Sequence, residues 1–320
     1  MTAITATPVD ELDEIAATLR RTDFPNQLGI EVTGQCNLHC TMCHHDTLRR
    51  PSGRMSPALF RKCADEVAAT APRTAVWFSF NGEALLAPDR LLDMVAYGKS
   101  VGLASLNLNT NGVRLDDWLS ERLLGSGIDL MVVGLDGLSR GTYEAIRRGA
   151  QRDYVYGNVE RLLAARQRRS DGPVIMVQFV ELAANIHERD AFTAYWLARG
   201  AIVKIRRQLS WGNRIDTALA PPAHRIACPW AINLMHVFWD GTVPRCCADT
   251  DGTEAVGSAE TESLAALWHR LAPYREQHLR GAFDQLPGRC NTCRDWMVGK
   301  SQKITPAWGV FRDWSASVDA

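Results

Sequence analysis

The sequence carries no excess of charge of either sign: 36 Lys and Arg stand against 36 Asp and Glu. No global field therefore draws it to nucleic acid or to an anionic membrane surface. No stretch is apolar for long enough to cross a bilayer, and residues 1–23 lack the basic start and apolar run of a secretory signal. A cytoplasmic protein is expected, with neither nucleic acid nor membrane as a partner. There is no internal repeat longer than one strand-helix unit and no low-complexity tract. What is present is 320 residues, 46% of them hydrophobic, enough for one large core or for one core with a small appended domain.

Nine cysteines are present, an odd number that fits pairing poorly. Cytosolic reductants keep thiols reduced, so these cysteines read as metal ligands and not as disulfides. Three of them, Cys36, Cys40 and Cys43, share one loop with C-x3-C-x2-C spacing just after the apolar run 28–33. Thiolates select iron-sulfur clusters, zinc or copper, and a cubane normally takes four of them. Three leave one iron open, and an open metal position is where a substrate or cofactor binds. A zinc knuckle completed by His39, His44 or His45 is the other reading of the same spacing.

Along the chain, residues 9–21 form an acidic amphipathic helix with Leu12, Ile15 and Leu19 on one side, expected on the barrel exterior. Ser56 and Pro57 open a helix that runs to about Thr70, with Cys63 on its core face. Apolar runs at 28–33, 75–80, 104–109, 130–133, 174–180 and 202–206 then alternate with helical patterns. Such alternation means βαβ units and a parallel sheet. A closed eight-stranded barrel takes about 250 residues. Six strands in the first two hundred residues suit a partial (β/α)6 TIM-like barrel, open on one side. Its chemistry belongs at the C-terminal strand ends, where the cysteine loop sits. From Leu209 the alternation stops, Pro221 and Pro222 read as a linker, and a cysteine-rich segment with a hairpin spans 228–293. The expected division is an N-terminal helical extension (1–26), a barrel (27–209) and a small C-terminal domain with its tail (210–320). Trp296, Trp308 and Trp314 of the tail are expected to cover the barrel.

Cys36, Cys40 and Cys43 resemble, residue for residue, the defining motif of the radical S-adenosylmethionine (radical SAM) superfamily. Met42 stands where that family usually has an aromatic residue, and a thioether can still pack on adenine. The resemblance implies that the open iron chelates the amino and carboxylate groups of S-adenosylmethionine, which one electron cleaves to a 5'-deoxyadenosyl radical. Asn81-Gly82-Glu83, after the second strand, resembles the family's Gly-Gly-Glu loop, with Asn81 for the first glycine. Glu83 would then take the cofactor ammonium and Gly82 would keep the close approach. Asn109 and Thr110 could hydrogen-bond ribose, whereas Asn111-Gly112 is a plain turn signal. Asp136-Gly137 with Tyr143 to Arg147 resembles a run of the SPASM and twitch subgroups, with Gly134 where serine is usual. It implies Arg147 at the cofactor carboxylate and Asp136 near ribose or substrate; an ordinary salt bridge is the other reading of Arg147.

Cys228, Cys246, Cys290 and Cys293 can supply four thiolates at one point. Zinc ribbons use two C-x2-C pairs and only one exists here, so zinc is the second choice. The arrangement resembles the twitch domain, a shortened SPASM domain, and implies one auxiliary [4Fe-4S] cluster that is coordinatively closed and relays electrons. Cys247 is left over, either as core or as a sulfhydryl hydrogen donor.

The resemblance points to a radical SAM oxidoreductase that takes hydrogen from a carbinol carbon of an aminocyclitol, an aminoglycoside or another sugar in natural-product assembly, giving a ketone. The alternatives are an epimerase with Cys247 as donor and a ribosomal-peptide maturase. A maturase commonly carries a leader-binding domain before the barrel, for which the 35 residues ahead of Cys36 leave no room. A zinc-binding module without catalysis is a further reading, and it gives Glu83 no purpose. A flavodoxin or ferredoxin would donate electrons. A cationic substrate would want acids at the barrel mouth, for which Glu181, Asp249, Asp251 and Glu254 are candidates.

Overall fold

The structure is a computed structural model and describes residues 9–217, 224–298 and 301–306. Pro221, Pro222, Trp308 and Trp314, and the roles expected for them, lie outside the described residues. Six strands follow in parallel: β1 (Gln27–Ile30), β2 (Ala75–Phe78), β3 (Ser105–Thr110), β4 (Leu130–Gly134), β5 (Val174–Glu181) and β6 (Ile202–Arg207). They are the six apolar runs of the sequence, with helices between them. The helix Pro57–Thr70 starts as its sequence predicts, with Ser56 Oγ accepting from the Leu59 amide at 3.1 Å.

Side chains alternate across each strand, and the two faces of this sheet differ in chemistry. Ile30, Phe78, Leu108, Val133, Val177 and Ile205 face the helices and form one core with Cys63, which is buried there as expected. On the inner face Trp77, Leu130, Val132, Met176 and Ile202 form an apolar floor. Farther along the same strands the inner positions turn polar: Asn109 on β3, Gln178 on β5, Lys204 and Arg206 on β6. The barrel therefore has a packed base and a polar mouth at its C-terminal ends.

Two strands beyond the expected six join the sheet. Residues 232–239 were expected within the C-terminal hairpin, but β7 (Leu234–Val237) pairs in parallel with β1 and places His236 opposite Gly29. Met235 and Val237 continue the outer apolar core, which accounts for this choice. The hairpin that follows is β8 (Thr242–Pro244) with β9 (Ala255–Ser258). At the other edge β10 (Gln302–Ile304) runs antiparallel to β6, so part of the tail does return to the barrel. The order is β10-β6-β5-β4-β3-β2-β1-β7, and the two edges do not pair, which leaves the barrel open as expected. The sheet thus continues past the boundary expected near Ser210.

The first helix, Val9–Thr18, packs Leu12 and Ile15 against Ile226, Trp296 and Met297. It lies on the cysteine-rich segment, and the expectation of the barrel exterior is corrected: the barrel's outer apolar face is already covered by its own helices. Trp296 belongs to this second cluster. Gly29 is required where it stands, because a Cβ there would lie 2.2 Å from His236 Nδ1. Gly29→Ala is expected to destabilise the fold by about 2 kcal/mol through overpacking, read from urea unfolding. A variant as stable as the wild type would contradict the β1–β7 register.

Candidate active site

The cysteine loop is held from two sides. The His39 amide donates to the Arg148 carbonyl at 2.9 Å and the Thr41 amide to the Ile146 carbonyl at 3.0 Å, which ties the loop to the chain after β4. From the other side the Glu83 amide donates to the Gln35 carbonyl at 2.8 Å. A Cβ on Gly82 would lie 2.1 Å from the Thr33 carbonyl oxygen, so only glycine lets the β2 loop approach this closely. Cys36, Cys40 and Cys43 are half-buried. Burial raises all three thiols, Cys43 to about 12, and each is raised further by a neighbouring charge such as another thiolate or a carboxylate. The Cys40 thiolate acts on both Cys36 and Cys43, and Cys36 acts on Cys43, so the three thiols are neighbours.

The three histidines that could complete a zinc knuckle each have a protein partner. His39 Nδ1 meets Asp46 at 2.6 Å, His44 Nε2 meets Asn81 at 2.7 Å and His45 Nε2 meets the Gly34 carbonyl at 3.0 Å. Among the described residues no three His, Cys, Asp or Glu side chains close on a single ion.

Glu83 is buried in the site and makes no ion pair among the described residues. Oε1 accepts from Thr110 Oγ1 at 2.8 Å and from the Leu85 amide at 3.1 Å, and Oε2 accepts from the Asn111 amide at 2.7 Å. Burial raises its pKa, while these three donors work against the rise. Oε2 keeps acceptor capacity, and a buried carboxylate without a cation suits an ammonium ligand. Thr110 therefore holds Glu83, and Asn109 is exposed on the inner face. Asn81 is buried against His44, and its Nδ2 has no partner. Asn111, which the sequence reading left out as turn chemistry, also donates from Nδ2 to Asn37 Oδ1 at 2.8 Å and so links Glu83 to the cysteine loop.

Asp136 and Arg147 form a buried ion pair. Asp136 sits at φ 60°, Oδ1 accepts from the Val180 amide at 2.6 Å, and its backbone carbonyl accepts from Asn185 Nδ2 at 2.8 Å. Burial opposes the charge on Arg147, but Asp136 and Cys40 raise its pKa above the ordinary value. Its Nη1 lies 3.8 Å from Cys40 Sγ, and its Nε has no hydrogen-bond partner among the described residues. The departure at Gly134 now has a reason: a Cβ there would lie 2.1 Å from Arg147 Nη2, so a serine and this guanidinium cannot share the space.

Cys228, Cys246, Cys290 and Cys293 line one small cavity together with Cys247 and Tyr274. Burial raises Cys228, Cys246 and Cys293, Cys246 to about 12, and neighbouring thiolates add to the rise in each. His278 spans two of these cysteines, with Nδ1 3.4 Å from the Cys228 amide and Nε2 3.3 Å from Cys290 Sγ. Tyr274 Oη lies 3.3 Å from the same sulfur. Four thiols around one enclosed space fit a cluster. The loop after β6 joins the two cysteine sets. Asp295 accepts from the Ser210 amide at 2.6 Å and the Gly212 amide at 2.8 Å, while Trp211 Nε1 donates to the Met42 carbonyl at 3.0 Å. Trp211 also packs on His44, with ring centroids 4.2 Å apart.

The four acids named for a cationic substrate are all engaged within the protein. Glu181 pairs with Arg189 at 3.2 Å, Asp251 with Arg214 at 2.5 Å and Glu254 with Arg245 at 3.2 Å. Asp249 accepts from the Thr253 amide at 3.0 Å and the Glu254 amide at 2.7 Å. Glu181 ties the end of β5 to the helix that follows, the other three hold loops of the C-terminal segment, and none of the four is free.

Residues 30–179 match the radical SAM superfamily, and residues 228–294 match SPASM, an iron-sulfur cluster-binding domain. The chain is 30% identical over 178 residues to a probable GTP 3',8-cyclase of Methanothermobacter marburgensis, covering 56% of each protein. It is 34% identical over 109 residues to a tungsten-containing aldehyde ferredoxin oxidoreductase cofactor-modifying protein of Pyrococcus furiosus, covering 34% of this chain and 30% of that one. The chain thus spans about half the length, or less, of these curated relatives. Among solved structures it is similar to BtrN in complex with AdoMet and 2-DOIA, with TM-score 0.62, 21% identity and coverage of 86% of this chain and 94% of that one. It is also similar to Streptococcus suis SuiB bound to precursor peptide SuiA, with TM-score 0.64, 10% identity and coverage of 90% and 74%. At these identities the structural likeness is one of fold.

Two outcomes are expected. Anaerobic reconstitution should load about eight irons per chain if both cysteine sets hold cubanes; a plateau near half that value, or zinc in place of iron, would remove the second cluster. Asp136→Asn should destabilise the protein by about 3 kcal/mol in chemical unfolding, because Arg147 is left buried without its counter-charge. A negligible loss would mean that the pair is not buried as described.

Proposed function

Because this chain belongs to the radical SAM superfamily and carries a SPASM iron-sulfur domain, we propose that it is an oxidoreductase acting on a carbinol of a sugar, aminocyclitol or aminoglycoside. The carbinol would lose two hydrogens and become a ketone. Cys36, Cys40 and Cys43 would hold the first cluster, and Cys228, Cys246, Cys290 and Cys293 the second. When bound, these groups and S-adenosylmethionine would supply a hydrogen-abstracting radical at the first site and an electron acceptor at the second. Glu83 would take the cofactor ammonium on the free side of its carboxylate. Arg147, aimed by Asp136 and standing beside Cys40, would take the carboxylate. Asn111 and Thr110 would act through Glu83 as positioning residues. The apolar floor of Trp77, Val132 and Met176 would keep water from the base of the barrel.

The observation that supports dehydrogenation over epimerisation is the place of Cys247. It is 6% exposed and lines the cavity of the four thiols. Burial, and then the Cys246 and Cys228 thiolates, hold its own thiol well above the ordinary range. A hydrogen donor for an epimerase would instead need access to substrate in the barrel mouth.

The reading is tested by incubating the reconstituted protein with S-adenosylmethionine, a reductant and a panel of cyclitols, aminosugars, sugar acids and sugar phosphates. A product lighter by two hydrogens should form in equimolar amount with 5'-deoxyadenosine, and Cys247→Ala with full iron should still turn over. An isobaric product that carries solvent deuterium, and loses it in Cys247→Ala, would establish the epimerase instead. Turnover of a precursor peptide added to the same panel, with no carbohydrate product, would overturn both.

A further inference from the structure

The mouth of the barrel holds cations that the protein itself does not neutralise. Lys204 and Arg206 are two residues apart on β6 and so point to the same, inner face. Lys204 makes no hydrogen bond or ion pair among the described residues; its recorded neighbour is the Trp77 ring, whose centroid lies 5.9 Å from Nζ. Among the described residues Arg206 makes one hydrogen bond, from Nε to the carbonyl of its own neighbour Arg207 at 3.4 Å. Gln178 and Val180 of β5 stand beside them in register, and on the other side β10 sets Lys303 opposite Lys204. No acid comes from either flanking strand at these positions.

Three other sheltered arginines of this protein are treated differently, whereas the buried Arg275 makes no ion pair among the described residues, donates to the Trp268 carbonyl and lies over the Trp268 ring. Arg50 pairs with Glu31, Arg147 with Asp136 and Arg214 with Asp251. Of the two carboxylates whose field reaches Arg206, Asp136 is paired with Arg147, and Asp295, which accepts from the Ser210 and Gly212 amides, makes no ion pair with Arg206. Burial, with Arg206 and Lys303 nearby, lowers Lys204 to about 7, and burial lowers Arg206 as well. Sheltered cations left unpaired are unfavourable, and an anion between them removes the penalty.

We propose that Lys204 and Arg206 form an anion subsite of the substrate pocket, which receives a carboxylate or phosphate carried by the substrate. The inference rests on the proposed function in that it takes the barrel mouth as the substrate pocket. It narrows the substrate class to a sugar acid, a sugar phosphate or a carboxylated cyclitol, and away from polycationic aminoglycosides, for which the four candidate acids are not free. Arg206 offers the planar fork that suits a bidentate oxyanion, and Lys204 offers a compact charge beside it.

The test is calorimetric titration of the reconstituted full chain with glucuronate, glucose 6-phosphate, glucosamine and, separately, S-adenosylmethionine. At least one of the two anionic probes should bind saturably and glucosamine should not. Lys204→Gln and Arg206→Gln should each weaken the anion about tenfold or more, with S-adenosylmethionine affinity unchanged. Removing an unpaired sheltered ammonium should leave the unfolding temperature of Lys204→Gln at or above that of the wild type, so lost binding would not reflect misfolding. The proposal is overturned if neither anion binds the wild type, if both variants bind as tightly as the wild type, or if glucosamine binds in preference. It is equally overturned if S-adenosylmethionine weakens in step, since the subsite would then belong to the cofactor's carboxylate. Loss of anion binding in the variants of a protein that never cleaves S-adenosylmethionine would uphold the subsite and sink the oxidoreductase reading.

Discussion

The buried ion pair of Asp136 and Arg147 is the contact on which the geometry of the first site depends. Arg147 lies where the helix Arg140–Ile146 has just ended, and the backbone on both sides of it carries the Cys36–Cys43 loop through the carbonyls of Ile146 and Arg148. Asp136 fixes Arg147 from the end of β4 and is itself fixed by the Val180 amide of β5. Position 134 must be glycine for the guanidinium to lie there at all. One sheltered charge pair thus sets the distance between a cysteine loop after β1 and the ends of β4 and β5. The pair need not add net stability to do this; its breakage is what is costly.

The second constraint is the short loop after β6. Trp211, Gly212 and Asn213 take φ values of 53°, 67° and 65°, a left-handed run that turns the chain back on itself. From one turn it reaches the Met42 carbonyl and His44 on one side, and Asp295, next to Cys293 in the second cavity, on the other. The two cysteine sets therefore share a rigid spacer made of side chains and backbone amides. This is the arrangement expected where charge has to pass between two sites with a substrate pocket beside them.

Much of this was legible in the sequence, because the relevant signals are local. The six strands and their helices follow from periodicity, Ser56 and Pro57 mark a helix start, and the cysteine spacing groups each thiol set before any fold is known. What was not legible depends on long-range pairing. The strand Leu234–Val237 carries the same alternation whether it pairs in a hairpin or beside β1, and what favours β1 is long-range: the outer core that Met235 and Val237 join and the space that Gly29 leaves for His236. Asn111 looked like turn chemistry because its amide donates to Glu83, 28 residues away in sequence. The four acids looked free because the groups that engage them come together only in the fold, and that Lys204 and Arg206 make no ion pair among the described residues depends likewise on which strands flank β6.

The central claim is that three thiols and a buried, unpaired Glu83 form a site where S-adenosylmethionine is bound and reductively cleaved. The most direct measurement is chromatographic detection of 5'-deoxyadenosine after the anaerobically reconstituted protein is given S-adenosylmethionine and dithionite. The account predicts that the wild type forms it and that Cys40→Ala does not. No 5'-deoxyadenosine from an iron-loaded wild type, or equal amounts from Cys40→Ala, would contradict it.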